Sequence, residues 1–365
     1  MLSRVARLLL WMGDGLCAKG RRKPLPRSAA ALLCLQRHII TSLPPLTQRN
    51  QSATLEDAME ISIKPRAPFD FAATARFLRF TEREAVDTFR DGSYRRAIHL
   101  GQRLHLLHVE SRGTLSRPML SVILENESKA TVAETKIAET LVRLIFSADH
   151  DLKKFRAQVA GDPLMSKLEV AHRGLHIARW PSVFEALVIS ILSQQISTIV
   201  AMTLKQRLVE KFGERLKADG ETFFAFPRAA ALARASVDEL RALGLSGSKA
   251  VSIIEMAGRA SSGELNEDEL ERENNESLIT RLTRLRGIGR WTAEWTLMLH
   301  FGRTNVFPAG DLALRGFVSK YYNDGHPMSE REIRILAEVR WGEWASYAAV
   351  YFLAGMRAGI INLQA

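Results

Sequence analysis

Beyond residue 45 the chain has no cysteine: its two, Cys17 and Cys34, both fall in the basic leader of a 365-residue sequence. The body therefore offers no thiolate for a disulfide, a zinc knuckle or an iron–sulfur cluster. Long apolar runs are also missing. The longest, Ala186 to Leu192 and Ala345 to Met356, fall well short of the roughly 20 residues that a bilayer-spanning helix needs, so no membrane span is expected. Acid is scarce only at the start. Residues 1–45 hold eight Lys or Arg against Asp14 alone, so +7 of the formal +11 sits there and +4 is left for the rest. Net charge is thus weak evidence that the folded body binds nucleic acid, and any basic surface must come from local clustering.

The leader is rich in Arg, Ser, Leu and Ala. It reads as an organelle transit peptide, with a mitochondrial-type processing site at Arg37-His38-Ile39-Ile40-Thr41-Ser42. It reads also as a disordered basic extension ahead of a true start at Met59. Both readings stay open at this point. The remaining composition, 46% apolar and 25% charged overall, is that of a globular protein.

Three segments are expected: a leader and linker over 1–58, an α+β unit over 59–150, and an all-helical body over 151–365. Glu60 to Lys64 alternates as a half-buried strand does, and Pro65 stops it. Further strands are expected over Tyr94–Leu100, Leu104–Glu110 and Met119–Leu124. At Thr131 the period changes: Thr131-Val132-Ala133-Glu134 has the form of a capping box, and Val132, Ile137, Leu141, Leu144 and Ile145 suggest one apolar stripe. Helices are expected over Phe184–Phe212, Val237–Leu243, Lys249–Ala260, Ser277–Leu285, Trp291–Phe301, Asp311–Tyr321, Ser329–Val339 and Trp344–Met356. The acidic stretch Glu264 to Glu276 would repel a phosphate backbone, and reads as a solvated segment facing away from any DNA.

The most informative segment is Leu285-Arg286-Gly287-Ile288-Gly289-Arg290-Trp291-Thr292-Ala293. Two glycines one residue apart permit the positive φ and close approach of a tight helix-to-helix turn. Such a turn exposes the first N–H groups of the next helix, which can hold a phosphate oxygen without any net positive charge. A plain αα-hairpin with a glycine C-cap has the same spacing. Ten residues past Phe301, Asp311 follows Val306-Phe307-Pro308-Ala309-Gly310, a loop that would fix a carboxylate at a helix start. An aspartate there is commonly only a cap.

Taken together, Leu285 to Ala293 and the downstream Asp311 resemble the signature of the helix-hairpin-helix (HhH-GPD) DNA glycosylase superfamily, and within it the DNA-3-methyladenine glycosylase II family. The likeness runs from about Pro65 to Met356. It includes Pro68-Phe69-Asp70-Phe71, Ile191-Leu192-Ser193-Gln194-Gln195-Ile196-Ser197, the turn Gly244-Leu245-Ser246 to Lys249-Ala250, and Trp341 with Ser346-Tyr347-Ala348.

The resemblance implies a mainly α protein with an N-terminal α+β unit: an antiparallel sheet domain like half of the TATA-binding protein, then the glycosylase body. It implies a monofunctional enzyme of base excision repair that flips an alkylated purine out of double-stranded DNA and hydrolyses its glycosidic bond. The enzyme is expected as a monomer inside the cell, wherever the DNA is, and without a cofactor. Asp311 would stabilise the oxocarbenium charge on the sugar and orient the attacking water. Gly287, Ile288, Gly289, Arg290 and Thr292 would contact the strand. A monovalent ion on the carbonyls of Thr283, Leu285 and Ile288 is implied by the resemblance alone.

Where strand-cleaving relatives carry a nucleophilic lysine, this chain has Trp291, which excludes Schiff-base chemistry at that position. Trp291 and Trp295 lie four residues apart on one helix face, placed either to stack on a cationic base or to pack in the core. Gln195 stands where relatives use an apolar wedge, and would fill the gap left by the flipped base or merely pack. Two departures thin the aromatic pocket, Leu312 directly after Asp311 and Leu353 near the end of the last helix. The competing functions are a glycosylase-lyase for oxidised bases and a hairpin module that binds DNA without chemistry.

Overall fold

The computed structural model describes residues 60–78, 84–126 and 129–363. The basic leader, its targeting reading and Met59 lie outside them. The described residues belong to one compact unit, and no helix among them is long and apolar enough to cross a membrane.

A five-stranded antiparallel sheet opens the fold. β1 (Ile61–Ile63) is followed by α1 (Phe71–Leu78), then β2 (Thr88–Arg90), β3 (Ser93–Leu100), β4 (Arg103–Ser111) and β5 (Leu120–Glu125), in spatial order β1-β5-β4-β3-β2. The period-2 pattern works as expected. Tyr94 pairs with Val109 on a face buried in the main core, while Ala97 pairs with Leu106 on the opposite face. β2 and α1 were not anticipated, since each is short and has little periodicity to read.

α2 (Val132–Ile145) covers the sheet. Thr131 caps it and Glu134 returns the bond, so the capping box is real. The apolar stripe is only partly the one expected: Ile145 is buried and Leu141 and Leu144 pack against the core, but Val132 and Ile137 are exposed, and Ala138 and Val142 complete the buried face. Glu134 itself is drawn inward, because Arg103 and His105 from β4 bond its carboxylate. His108 lies against Glu110 of its own strand and Glu125 of the neighbouring β5.

The helical body follows. α3 (Leu152–Val159), α4 (Pro163–Ala171), α5 (Val183–Ser193) and α6 (Thr198–Phe212) lead into a small hairpin of β6 (Arg215–Ala218) and β7 (Glu221–Phe224). The single helix expected over Phe184–Phe212 is broken at Gln194–Ser197, where Gln195 takes φ +59° and Ser197 caps α6. The β6–β7 hairpin, read from sequence as helical territory, brings Phe223 and Ala225 onto the outer face of the sheet. Then come α7 (Ala229–Ala233), α8 (Val237–Ala242), α9 (Gly247–Ser261), α10 (Glu267–Glu271), α11 (Asn275–Thr283), α12 (Arg290–Leu299), α13 (Leu312–Tyr322), α14 (Glu330–Trp341) and α15 (Ala345–Arg357).

Sheet and helices are joined by buried charge. Arg96 of β3 donates to Asp87 at 2.6 Å and reaches Glu185 of α5, while Lys205 of α6 donates to Glu84 and lies 3.7 Å from Asp87. Tyr94 adds its hydroxyl to Asp87 at 2.6 Å. All six side chains are withdrawn from solvent. Burial pushes Asp87 up, but Arg96 and Lys205 outweigh it and hold its pKa low; at Glu185 burial wins and the pKa is raised. Removing one member of such a cluster leaves an uncompensated charge. Lys205→Met is expected to cost about 3–5 kcal/mol of unfolding free energy, read from urea denaturation, whereas a loss under about 1 kcal/mol would show that the cluster does not tie sheet to helices.

Candidate active site and strand-binding turn

The loop before α13 is built to hold its last residue still. Phe307 stacks on the buried Trp341 at 5.3 Å and 27°. At the start of α15 the Ser346 hydroxyl accepts from Val306 N–H at 3.1 Å and lies 2.6 Å from the Val306 carbonyl, while Ser346 N–H bonds Thr304. The loop then closes on itself through Ala309 N–H to Phe307 and Asp311 N–H to Pro308. Gly310 lies beside α12, with the Trp291 side chain next to it.

Asp311 is the N-cap of α13, and its Oδ1 accepts from Ala313 N–H at 3.0 Å and Leu314 N–H at 3.1 Å. The Trp291 indole lies close to this carboxylate and helps to hold its pKa down. Burial nevertheless dominates, and the pKa stands above the ordinary aspartate value. The helix cap and the candidate catalytic carboxylate are one residue. Leu312, directly after it, is exposed.

Trp291 and Trp295 meet edge to face at 6.4 Å. Both are partly buried rather than sealed in the core, and the Trp295 indole N–H is buried without a hydrogen-bond acceptor. The surface hollows beside Glu273 and Arg284 and beside Glu84 and Glu221 do not include these residues. The site is a partly covered wall of two indoles and a carboxylate.

One turn upstream, α11 and α12 are joined by the two-glycine turn. Gly287 has φ +80°, and a Cβ on it would fall 2.8 Å from Ser252 Oγ of α9, so both its handedness and its bareness are required. Gly289 differs. Its φ is −95°, which any residue adopts, and a Cβ on it would meet nothing within 4 Å. It is the N-cap of α12 and supplies no side-chain bond, and the first backbone bond of the helix runs from Ala293 N–H to Gly289. The amides of Arg290, Trp291 and Thr292 thus begin the helix without a cap, in contrast to α13, α9 and α6, which Asp311, Ser246 and Ser197 cap.

Several expected strand-contacting side chains have other partners. Arg290 donates to Glu276 at 2.6 Å and to Glu294 at 2.9 Å, and the buried Glu294 is shared with Arg334 at 2.7 Å. Glu276 therefore sits at the turn, correcting the reading that the whole acidic stretch faces away from it. Ile288 is buried in the core and Thr292 is buried beneath the turn, so what these two offer outward is backbone. In the same turn the Leu285 carbonyl accepts from Ile288 N–H at 3.1 Å and keeps a second lone pair, alongside the carbonyls of Thr283 and Ile288.

The α5–α6 turn lies beside it. Gln195 is exposed and held in the left-handed region, a conformation unusual for a non-glycine residue. Gln194, which the linear reading did not single out, donates its amide to the Gly287 carbonyl at 2.7 Å and to the Thr292 hydroxyl at 3.3 Å. Lys249 of α9, also passed over, donates to the carbonyls of Leu192 and Gln194 at 2.7 and 2.8 Å. Neither contact follows from spacing, because the partners lie at least 55 residues away in the chain.

Comparison with known proteins places this arrangement. Residues 60–182 match the family model described as the AlkA N-terminal domain, and residues 188–343 match the HhH-GPD superfamily base excision DNA repair protein model. The chain is 29% identical to a DNA-3-methyladenine glycosylase of Bacillus subtilis over 78% of its length and 92% of the relative's. It is likewise 29% identical to DNA-3-methyladenine glycosylase 2 of Escherichia coli, over 78% of its length and 93% of the relative's. Among solved structures, a 3-methyladenine DNA glycosylase from Archaeoglobus fulgidus superposes with a TM-score of 0.72 at 29% identity, covering 81% of this chain and 98% of that one. Two consecutive family matches that together span most of the sequence, and a fold that superposes on such a relative over 81% of this chain, lead to one conclusion: the chain belongs to the HhH-GPD superfamily of base excision DNA repair proteins.

Proposed function

We propose that this protein is a monofunctional DNA glycosylase that removes alkylated purines from double-stranded DNA, with Asp311 as its catalytic carboxylate. The observation that carries the proposal is the placement of Asp311: fixed by two backbone amides and beside Trp291, which stands in the first turn of a helix that begins without a side-chain cap.

The chemistry follows from that placement. Cleaving a glycosidic bond builds positive charge on the sugar, and a carboxylate already oriented in a partly dry wall stabilises it without reorganising. The same group orients a water for attack. An alkylated purine carrying positive charge finds the indole faces of Trp291 and Trp295, an attraction worth about 0.5–2 kcal/mol. α12 carries no lysine, so the sugar is not captured as a Schiff base and an abasic site is the product. The strand is held by the amides of Gly289 to Thr292 and the helix dipole rather than by Arg290, whose charge is already matched. Gln195 enters the space left by the flipped nucleotide. A monovalent cation on the carbonyls of Thr283, Leu285 and Ile288 would add positive charge beside the phosphate, and no step depends on it. The protein acts as a monomer.

Asp311→Asn is expected to lower release of 3-methyladenine from methylated duplex by about 100-fold or more, measured by mass spectrometry of freed bases, with duplex affinity kept. Base release surviving in this variant would overturn the assignment. The wild-type pH profile supplies a second check. Asp311 works ionised and its pKa is raised by burial, so kcat/KM is expected to fall with acidification at a pH above the ordinary aspartate value, on a limb that the asparagine variant lacks.

The two glycines separate fold from function. Gly287→Ala should destabilise the protein by about 1–3 kcal/mol, through a strained φ and contact with Ser252. Gly289→Ala loses a favoured N-cap residue and should cost about 1 kcal/mol or less of stability, a smaller loss than at Gly287, while weakening duplex binding about fivefold by crowding the phosphate. Unaltered binding in Gly289→Ala would remove the amide clamp from the proposal.

A further inference from the structure

In the proposed function the two-glycine turn holds the strand and the α5–α6 turn supplies the wedge, yet they belong to segments 93 residues apart. A glycosylase gains nothing from gripping a strand unless the wedge enters the helix at the same moment. We infer that Gln194 is a positioning residue that couples the phosphate clamp to the wedge, an inference that rests on the proposed strand-binding role of these turns.

Gln194 is the C-cap of α5 and the residue next to Gln195. Its Nε2 donates to the Gly287 carbonyl and faces the Thr292 hydroxyl, so one amide spans the turn from its first glycine to the third residue of α12. Those are the residues flanking the uncapped amides. On its other side its own carbonyl receives the Lys249 ammonium, which also holds the Leu192 carbonyl at the end of α5. Gln194 is thus fixed from both sides, and it sets the starting direction of a chain that turns through φ +59° at the very next residue. Any shift of the two-glycine turn as its amides close on a phosphate pulls on this side chain, and through it on Gln195. The geometry selects an amide: a carboxylate at 194 would face the Gly287 carbonyl with like charge, and an alanine would leave that carbonyl and the turn unlinked.

The test uses the full chain and a duplex carrying a tetrahydrofuran abasic analogue with 2-aminopurine opposite it, whose fluorescence rises when a wedge disturbs the stack. Fluorescence anisotropy of the same duplex gives the dissociation constant. Gln194→Ala and Gln194→Glu are expected to slow or shrink the 2-aminopurine rise about fivefold or more, with affinity within about threefold and the melting temperature unchanged. Thr292→Val should act in the same direction and add nothing to Gln194→Ala. A rise equal to wild type in both Gln194 variants overturns the inference. So does a loss of rise, affinity and melting temperature together, which marks a merely structural residue, and so does a wild type that binds without any rise. The probe needs no base release: a wild type that gives the rise yet frees no alkylated purine refutes the glycosylase reading and leaves the coupling standing.

Discussion

Keeping a carboxylate ionised where burial resists its charge is the constraint around which the rest of the site is arranged. Asp311 would gain a proton more readily than an exposed aspartate, and only the amides of Ala313 and Leu314 and the Trp291 indole restrain that tendency. Each donor must stay within about 3 Å to count. That requirement explains the rigidity upstream: the Phe307–Trp341 stack and the Ser346 hydroxyl pinned on Val306 both remove freedom from one short loop. The helix N-terminus that holds the acid is also the start of the next packed element, so the site cannot drift without moving α13 and the core residues Leu314, Phe317 and Val318.

A similar economy governs the strand-binding side. The body carries little net charge, and the one arginine at the head of α12 is neutralised by Glu276 and Glu294. A clamp made from backbone amides escapes this limit because the helix dipole supplies its positive end at no cost in formal charge. It also explains the shared Glu294. Buried between Arg290 and Arg334, it fixes the first turn of α12 from below, so the amides above it keep their direction.

Much of this was legible in the sequence, and the failures are instructive. Four of the five strands, the Thr131 capping box and the two-glycine turn are local, written in periodicity and in residues with a single conformational use. The loop with Pro and Gly placed Asp311 at a helix start, but its chemical role is what the family resemblance implies. What could not be read were contacts between segments. Glu134 looks like a surface residue until Arg103 and His105 arrive from β4, and Gln194 looks like a helix interior until α5 ends beneath the hairpin. The same blindness produced the partly misplaced stripe on α2, where apolar side chains at Val132 and Ile137 fit the helical period but face solvent. Periodicity gives a face, and only packing decides which way it turns.

The contrast between the two glycines carries the reading one step further. Gly287 is compelled by the protein itself, through φ +80° and Ser252, and its identity says nothing about a ligand. Gly289 has an ordinary φ and open space where a side chain would stand. No packing contact or backbone angle requires glycine there, although glycine is among the residues that helices favour at an N-cap, at a cost of only about a few tenths of a kcal/mol against serine or asparagine. What distinguishes the position is the open space in front of it. The missing side chain leaves the amides of Arg290 to Thr292 open, and a phosphate oxygen is the group whose size, charge and lone pairs fit that opening.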